Sequence, residues 1–137
     1  MRVVVDVNVL ISALLSSKGA PARIIVAWQS GRFELIVSAL LLYELGRALP
    51  YPKLRRHITV EEATRVVAWL SRDATMIDDP GDPPPVRSVD PGDDYLISLA
   101  SMANALLVSG DDHLLSMRPS LPIHSPADFL KLITDDE

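Results

Sequence analysis

The segment RVVVD, residues 2–6, limits the fold more than any other stretch of this chain. Three consecutive valines favour an extended backbone, and no polar residue alternates with them. A strand that is apolar on both faces must be covered on both faces, which is the pattern of a parallel sheet flanked by helices. Asp6 ends the run, and Asn8 follows before the sequence turns apolar again. A carboxylate at the end of a buried strand raises the question of what it meets there.

The rest of the chain alternates in a way that answers to such a sheet. A helix is expected from about Val9 to Leu15, ending at SSKG. Pro21 suits the first turn of the next helix, APARIIVAWQSG, which Gly31 closes. FELIVS is a second strand. Ser38 caps the helix ALLLYELGRAL, which stops before Pro50. Thr59 and Glu62 have the spacing of a capping box for a helix running to about Ser71. ATMI is a short strand, followed by the Pro- and Asp-rich loop DDPGDPPPVRSVDPGDD. DYLISLASMAN is helical, ALLVSG strand-like, DDHLLSM a short helix and PIH a short strand. Ser125 and Pro126 open a last helix, PADFLKLI. This order predicts a three-layer α/β/α sandwich with a mainly parallel central sheet. Residues 1–133 are expected to form one domain, with 134–137 as a frayed acidic tail.

Composition narrows the chemistry. The chain has 137 residues, 48% of them apolar, which is enough for one domain with a real core. It has no cysteine, so disulfides, thiolate metal sites and cysteine nucleophiles are excluded. A net charge of −5 speaks against a general basic surface for nucleic acid. The one basic cluster, YPKLRRH with Lys53, Arg55 and Arg56, fits a solvated turn between helices better than a phosphate contact. No signal-peptide pattern and no bilayer-spanning apolar stretch is visible. A cytoplasmic location without a membrane partner is therefore expected.

In open parallel sheets, ligand sites lie beyond the carboxyl ends of the strands. Asp6 ends the first strand, and Asp111 and Asp112 follow ALLVSG. Asp93 and Asp94 open a helix whose other end leads into ALLVSG. Glu44 is the only acid between Glu34 and Glu61, in a helix that reads as apolar nearly all round. A buried lone carboxylate is costly unless it is paired or bound to a cation. Four carboxylates gathered together repel one another, so some must protonate or a cation must hold them. An oxygen-only donor set selects a hard ion, Mg²⁺ or Mn²⁺. Such an ion activates water and stabilises the charge of a phosphodiester under attack.

Each acid also has a structural use. Asp93 and Asp94 fit a helix cap after Pro91-Gly92; we assign the cap to Asp93 and the ligand role to Asp94. Asp111 and Asp112 fit a cap for the following helix equally well. Glu44 has Arg47 one turn away, and Asp6 could meet solvent. Asn8 and Ser109 either orient carboxylates by hydrogen bonds or serve only as turn residues. His57, His113 and His124 lack paired ligand spacing and read as surface residues.

VVVDVNVLISALL, IVSALLLYELGRAL, DPGDDYLISLA and LLVSGDDHLL resemble, in order, the four acidic motifs of PIN-domain ribonucleases. The spacing of Ser38 to Glu44 belongs to that pattern, and the resemblance runs from residue 1 to about 130. The chain is most similar to the branch of VapC-like toxins of toxin–antitoxin pairs. The resemblance implies a metal-dependent cut in RNA, with Asp6, Glu44, Asp94 and Asp111 as the acidic cluster. Asp6 and Asp94 would be the principal ligands of Mg²⁺ or Mn²⁺, and Glu44 and Asp111 would complete the site directly or through water. It also implies a homodimer and a small antitoxin partner. One departure stands out: relatives of this branch often carry an acid two residues after the Asp111 position, where this chain has His113, with Asp112 as a candidate to compensate. That departure and the acidic net charge motivate a second reading, a PIN-like module that binds RNA or a partner without cutting. A phosphatase of the haloacid dehalogenase type would need an acid where Asn8 stands.

Overall fold

The three valines lie in β1 (Arg2–Val5), the middle strand of a five-stranded sheet, and all three are buried. The computed structural model describes residues 1–49, 58–81, 94–118 and 120–135. Asp93, His57 and the basic residues Lys53, Arg55 and Arg56 lie outside the described residues. After β1 come α1 (Val7–Leu15), α2 (Ala20–Gln29), β2 (Glu34–Val37), α3 (Ala39–Ala48), α4 (Val60–Asp73) and β3 (Thr75–Met76). The chain continues with α5 (Asp94–Ala103), β4 (Leu106–Val108), α6 (Asp112–Leu115), β5 (Ile123–His124) and α7 (Pro126–Asp135). This is the expected alternation, element for element.

Every strand pairing is parallel, and the strand order is β3-β2-β1-β4-β5. Helix α5 packs on β1 and β4. The contacts α1 with α2 and α3, α3 with α4, and α2 with α7 join the remaining long helices. The result is the three-layer α/β/α arrangement that two-sided burial of β1 demands. The core is aliphatic, with Leu35, Ile36, Leu41, Leu45, Leu99 and Leu107 almost fully buried. Phe33 meets Phe129 edge to face at 5.3 Å, joining the start of β2 to α7.

Local chemistry sets the boundaries. Both bonds of the capping box form, from the Glu62 amide to Thr59 Oγ1 at 3.1 Å and from the Thr59 amide to Glu62 Oε1 at 3.4 Å. Helix α1 begins at Val7, two residues before the expected start, because Asp6 is itself the N-cap. Helix α7 continues to Asp135, and Thr134 Oγ1 donates to the Leu130 carbonyl at 2.7 Å. Asn104, at φ 54°, takes the left-handed conformation that turns the chain from α5 into β4.

The amino edge of the sheet is tied by charge. Arg2 Nε donates to Glu34 Oε1 at 2.9 Å, and its Nη1 donates to the Ala103 carbonyl at 2.9 Å. Hydrogen bonds from Arg2 and then Thr75 hold the Glu34 carboxyl below its ordinary range. The opposite edge differs. Among the described residues, neither Asp6 nor Asp111 pairs with a lysine or arginine. No single helix among the described residues is long and apolar enough to cross a membrane.

Candidate active site at the carboxyl edge of the sheet

Parallel register sets one residue from each strand in a row beyond the sheet. Val4 pairs with Ile36 and Val5 with Val108, so Asp6 stands between Ser38 and Ser109, at strand spacings of about 4.8 Å. Val108 pairs with His124, which extends the row to Ser125. Three of these residues open helices with their side chains. Asp6 Oδ1 accepts from the Asn8 amide at 3.3 Å, Ser38 Oγ from the Leu41 amide at 3.2 Å, and Ser125 Oγ from the Asp128 amide at 3.1 Å. Helix amino termini, with their unsatisfied amides and partial positive charge, therefore gather at this edge. The connections also part here. From β1 the chain moves outward to β2 and β3, and from β4 it moves the other way to β5. A crevice at such a point is where parallel sheets bind ligands.

In that crevice lies a connected polar group. Ser109 is fully buried, and its hydroxyl donates to Asp6 Oδ2 at 2.8 Å. Ser109 Oγ in turn accepts from the Asp111 amide at 3.0 Å. A hydroxyl has one proton to give, so with its lone pair engaged by Asp111 that proton is committed to Asp6. Asp111 caps α6, its Oδ1 accepting from the His113 amide at 2.7 Å. Asp6 is only 6% exposed. Burial pushes its carboxyl above the ordinary range, hydrogen bonds from Ser109 and the Asn8 amide oppose the rise, and the charge of Asp111 adds to it.

Asp94 reaches the same edge by a different route. It is the first residue of α5 and 8% exposed. The far end of α5, at Ala103, is held by Arg2 at the amino edge. Ten helical residues span about 15 Å, close to the length of β1 with Asp6 at roughly 3.3 Å per residue. The helix thus runs the length of the sheet once and starts, at Asp94, toward the carboxyl edge.

Glu44 corrects an expectation. It is exposed, as are Tyr43 and Arg47, while Leu41, Leu42, Leu45 and Leu49 form the buried side of the helix. The leucines around Glu44 do not enclose it. Arg47 lies over the Tyr43 ring rather than on Glu44. Asn8 is exposed and reaches Asp6 through its backbone amide. Asp112 and His113 are exposed on α6, and His113 Nδ1 is 3.6 Å from Asp111 Oδ1. Asp79 was not among the expected residues. It follows β3 and accepts from the Leu40 amide at 2.9 Å, adding a carboxylate at the start of α3. The rule that singled out Asp6 and Asp111, an acid just past a strand, applies to it equally.

The donor set suits a hard divalent cation. It is all oxygen, with one buried carboxylate opposed by desolvation and by a second carboxylate, and among the described residues neither has a lysine or arginine partner. Among the described residues, no three Asp, Glu or His side chains are close enough to hold an ion by themselves. Mg²⁺ does not require that many. It commonly takes one or two carboxylates and fills its other positions with water and phosphate oxygens.

Comparison with known proteins places the chain among relatives. The family model described as PIN domain matches residues 2–113. The uncharacterized protein MJ1680 of Methanocaldococcus jannaschii is 29% identical over 118 residues, covering 86% of this chain and 76% of that protein. PAE2754 from Pyrobaculum aerophilum superposes with a TM-score of 0.65 at 19% identity, over 98% of this chain and 90% of that one. VapBC2 from Rickettsia felis, bound to a DNA fragment from their promoter, superposes with a TM-score of 0.64 at 15% identity, over 91% and 98%. At such identities the two structures speak for a shared fold.

Proposed function

We propose that this chain, which belongs to the PIN-domain family, is an endoribonuclease that uses Mg²⁺ or Mn²⁺ to hydrolyse phosphodiester bonds in RNA. The observation that carries the reading is the buried Asp6 carboxylate, joined through Ser109 to Asp111 where the connections from β1 and β4 diverge. In this reading residues 1–133 form the working domain. Asp6 and Asp94 are the principal ligands of the ion, and Asp111 and Glu44 complete the site through water, Glu44 from the exposed side of α3. Such an ion, when bound, supplies an activated water and neutralises charge on the phosphodiester.

The remaining work belongs to the chain. Ser109 keeps Asp6 Oδ2 in one orientation, and the His113 amide does the same for Asp111 Oδ1. Amides at the starts of α1 and α3 offer partial positive charge to an anionic substrate. Ser109→Ala should lower the cleavage rate about 10- to 100-fold, as loss of an orienting contact does. It should also lower stability by about 1–3 kcal/mol, because a buried carboxylate oxygen and an amide lose their partner. Single-turnover cleavage and urea unfolding measure the two effects.

By its fold likeness to the Rickettsia felis VapBC2 structure, the proposal extends to the toxin of a toxin–antitoxin pair, a homodimer in the cytoplasm with an antitoxin partner. Purified protein incubated with structured and unstructured RNAs should cut in Mn²⁺ and stop in EDTA. Failure to cut any of them at millimolar Mn²⁺ would overturn the reading. The exposed Glu44 and His113 favour a second reading, a module that binds RNA or a partner without cutting. Calorimetry separates the two, since absence of Mn²⁺ binding at millimolar concentration supports the second.

A further inference from the structure

Beside the acidic pocket, α3 carries an aromatic ring that the core does not use. Tyr43 is 61% exposed, on the side of the helix away from buried Leu41, Leu42 and Leu45. The guanidinium carbon of Arg47, one turn on, lies 5.7 Å from the centre of its ring, within cation–π range. Glu44 shares this solvent side. The helix begins at Ser38, the neighbour of Asp6 in the edge row, and Tyr43 stands only about 7–8 Å further along its axis. A substrate phosphate drawn to Asp6 therefore has its adjoining nucleotides within reach of that ring.

Charge gives such a ring a purpose. With a net charge of −5, the chain offers an RNA backbone little long-range attraction. Affinity has to come from contacts that do not depend on net charge, and stacking of a base on an aromatic face is one. A guanidinium set on the ring fixes its orientation and adds a single local positive charge. We propose that Tyr43 and Arg47 form a stacking platform for a nucleobase of the substrate strand, on the helix that starts beside Asp6 in the edge row. The proposal rests on the ribonuclease reading of that pocket. A helix-stabilising i,i+4 pair is the plainer role for the same two residues, and it predicts no dependence on a base.

The test compares a fluorescently labelled uridine octamer with an abasic octamer carrying the same phosphates, by anisotropy in EDTA so that no strand is cut. The wild type should prefer the base-bearing strand by roughly 5- to 150-fold. The preference should collapse toward one in Tyr43→Ala and largely survive in Tyr43→Phe, which keeps the ring. Equal preference in wild type and Tyr43→Ala overturns the platform, as does a wild type with no preference; pull-down of a protein partner by Tyr43 alone would then explain the exposed ring. Cleavage in Mn²⁺ is read separately. An active enzyme with the same KM in wild type and Tyr43→Ala removes the platform and leaves the nuclease. A base preference that depends on Tyr43 in a chain that cuts nothing removes the nuclease and leaves the platform.

Discussion

Asp6→Asn should reduce Mn²⁺-dependent RNA cleavage at least about a hundredfold, the scale on which a preorganised electrostatic contact is lost. The same change should leave the metal-free protein as stable as the wild type, or more so. The two halves have one origin. Folding buries the Asp6 carboxyl beside Asp111 and raises its pKa. Its contribution is therefore favourable only where it is protonated, and above its folded-state pKa the ionised group subtracts from stability. Asparagine has the same shape without the charge, and it can still accept from the Asn8 amide. Relief of the buried charge offsets the altered bond to Ser109. Thermal melts in EDTA and in Mn²⁺ read this directly. Metal at a hundred times its dissociation constant should stabilise the wild type by about 2.7 kcal/mol and the variant far less. If Mn²⁺ raises both melting temperatures equally, the ion sits elsewhere; if both proteins cut RNA equally, the activity comes from a contaminant.

Phe129→Ala should cost about 3–5 kcal/mol, as large aromatic truncations in packed cores do. Phe129 is fully buried on α7 and meets Phe33 edge to face, at an interplanar angle of 84°. Nearby, the Arg32 guanidinium donates to the Ile133 carbonyl, a second tie between the entrance to β2 and α7. Removing the ring opens a cavity where the outer helix meets the sheet. Domains of this kind have about 5–15 kcal/mol of stability in total, so one substitution consumes a large part of it. Urea unfolding with an unchanged slope measures the loss. A change under about 1 kcal/mol would mean that α7 contributes little to the cooperative core.

The sequence carried the order of the elements because each boundary has its own chemical mark. Thr59 with Glu62, Ser38, Pro21 and Ser125 are local signals, and local signals survive into the fold. The start of α1 was misjudged because Asp6 has two uses at once, ending a strand and capping the helix that follows it. Ser109 was legible as a strand-end hydroxyl, yet its commitment to Asp6 depends on register between strands far apart in the chain. Glu44 was misjudged for the opposite reason. ALLLYELGRAL has leucine on several sides, so hydrophobic pattern alone could not say that Leu41, Leu42, Leu45 and Leu49 turn inward while Glu44 turns out. Asp79 was hidden among the acids of its loop, and only the short strand β3 before it gives it a position.

The Asp6–Ser109 bond joins residues 103 positions apart. During translation at about 5–20 residues per second, Asp6 leaves the ribosome roughly 5–20 s before Ser109 does. Throughout that interval β1 lacks one of its two neighbours, and the acid at its tip lacks the hydroxyl that aims it. On the ribonuclease reading proposed above, a nascent chain stays harmless to the RNA around it at least until Ser109 has been made and β4 can join β1.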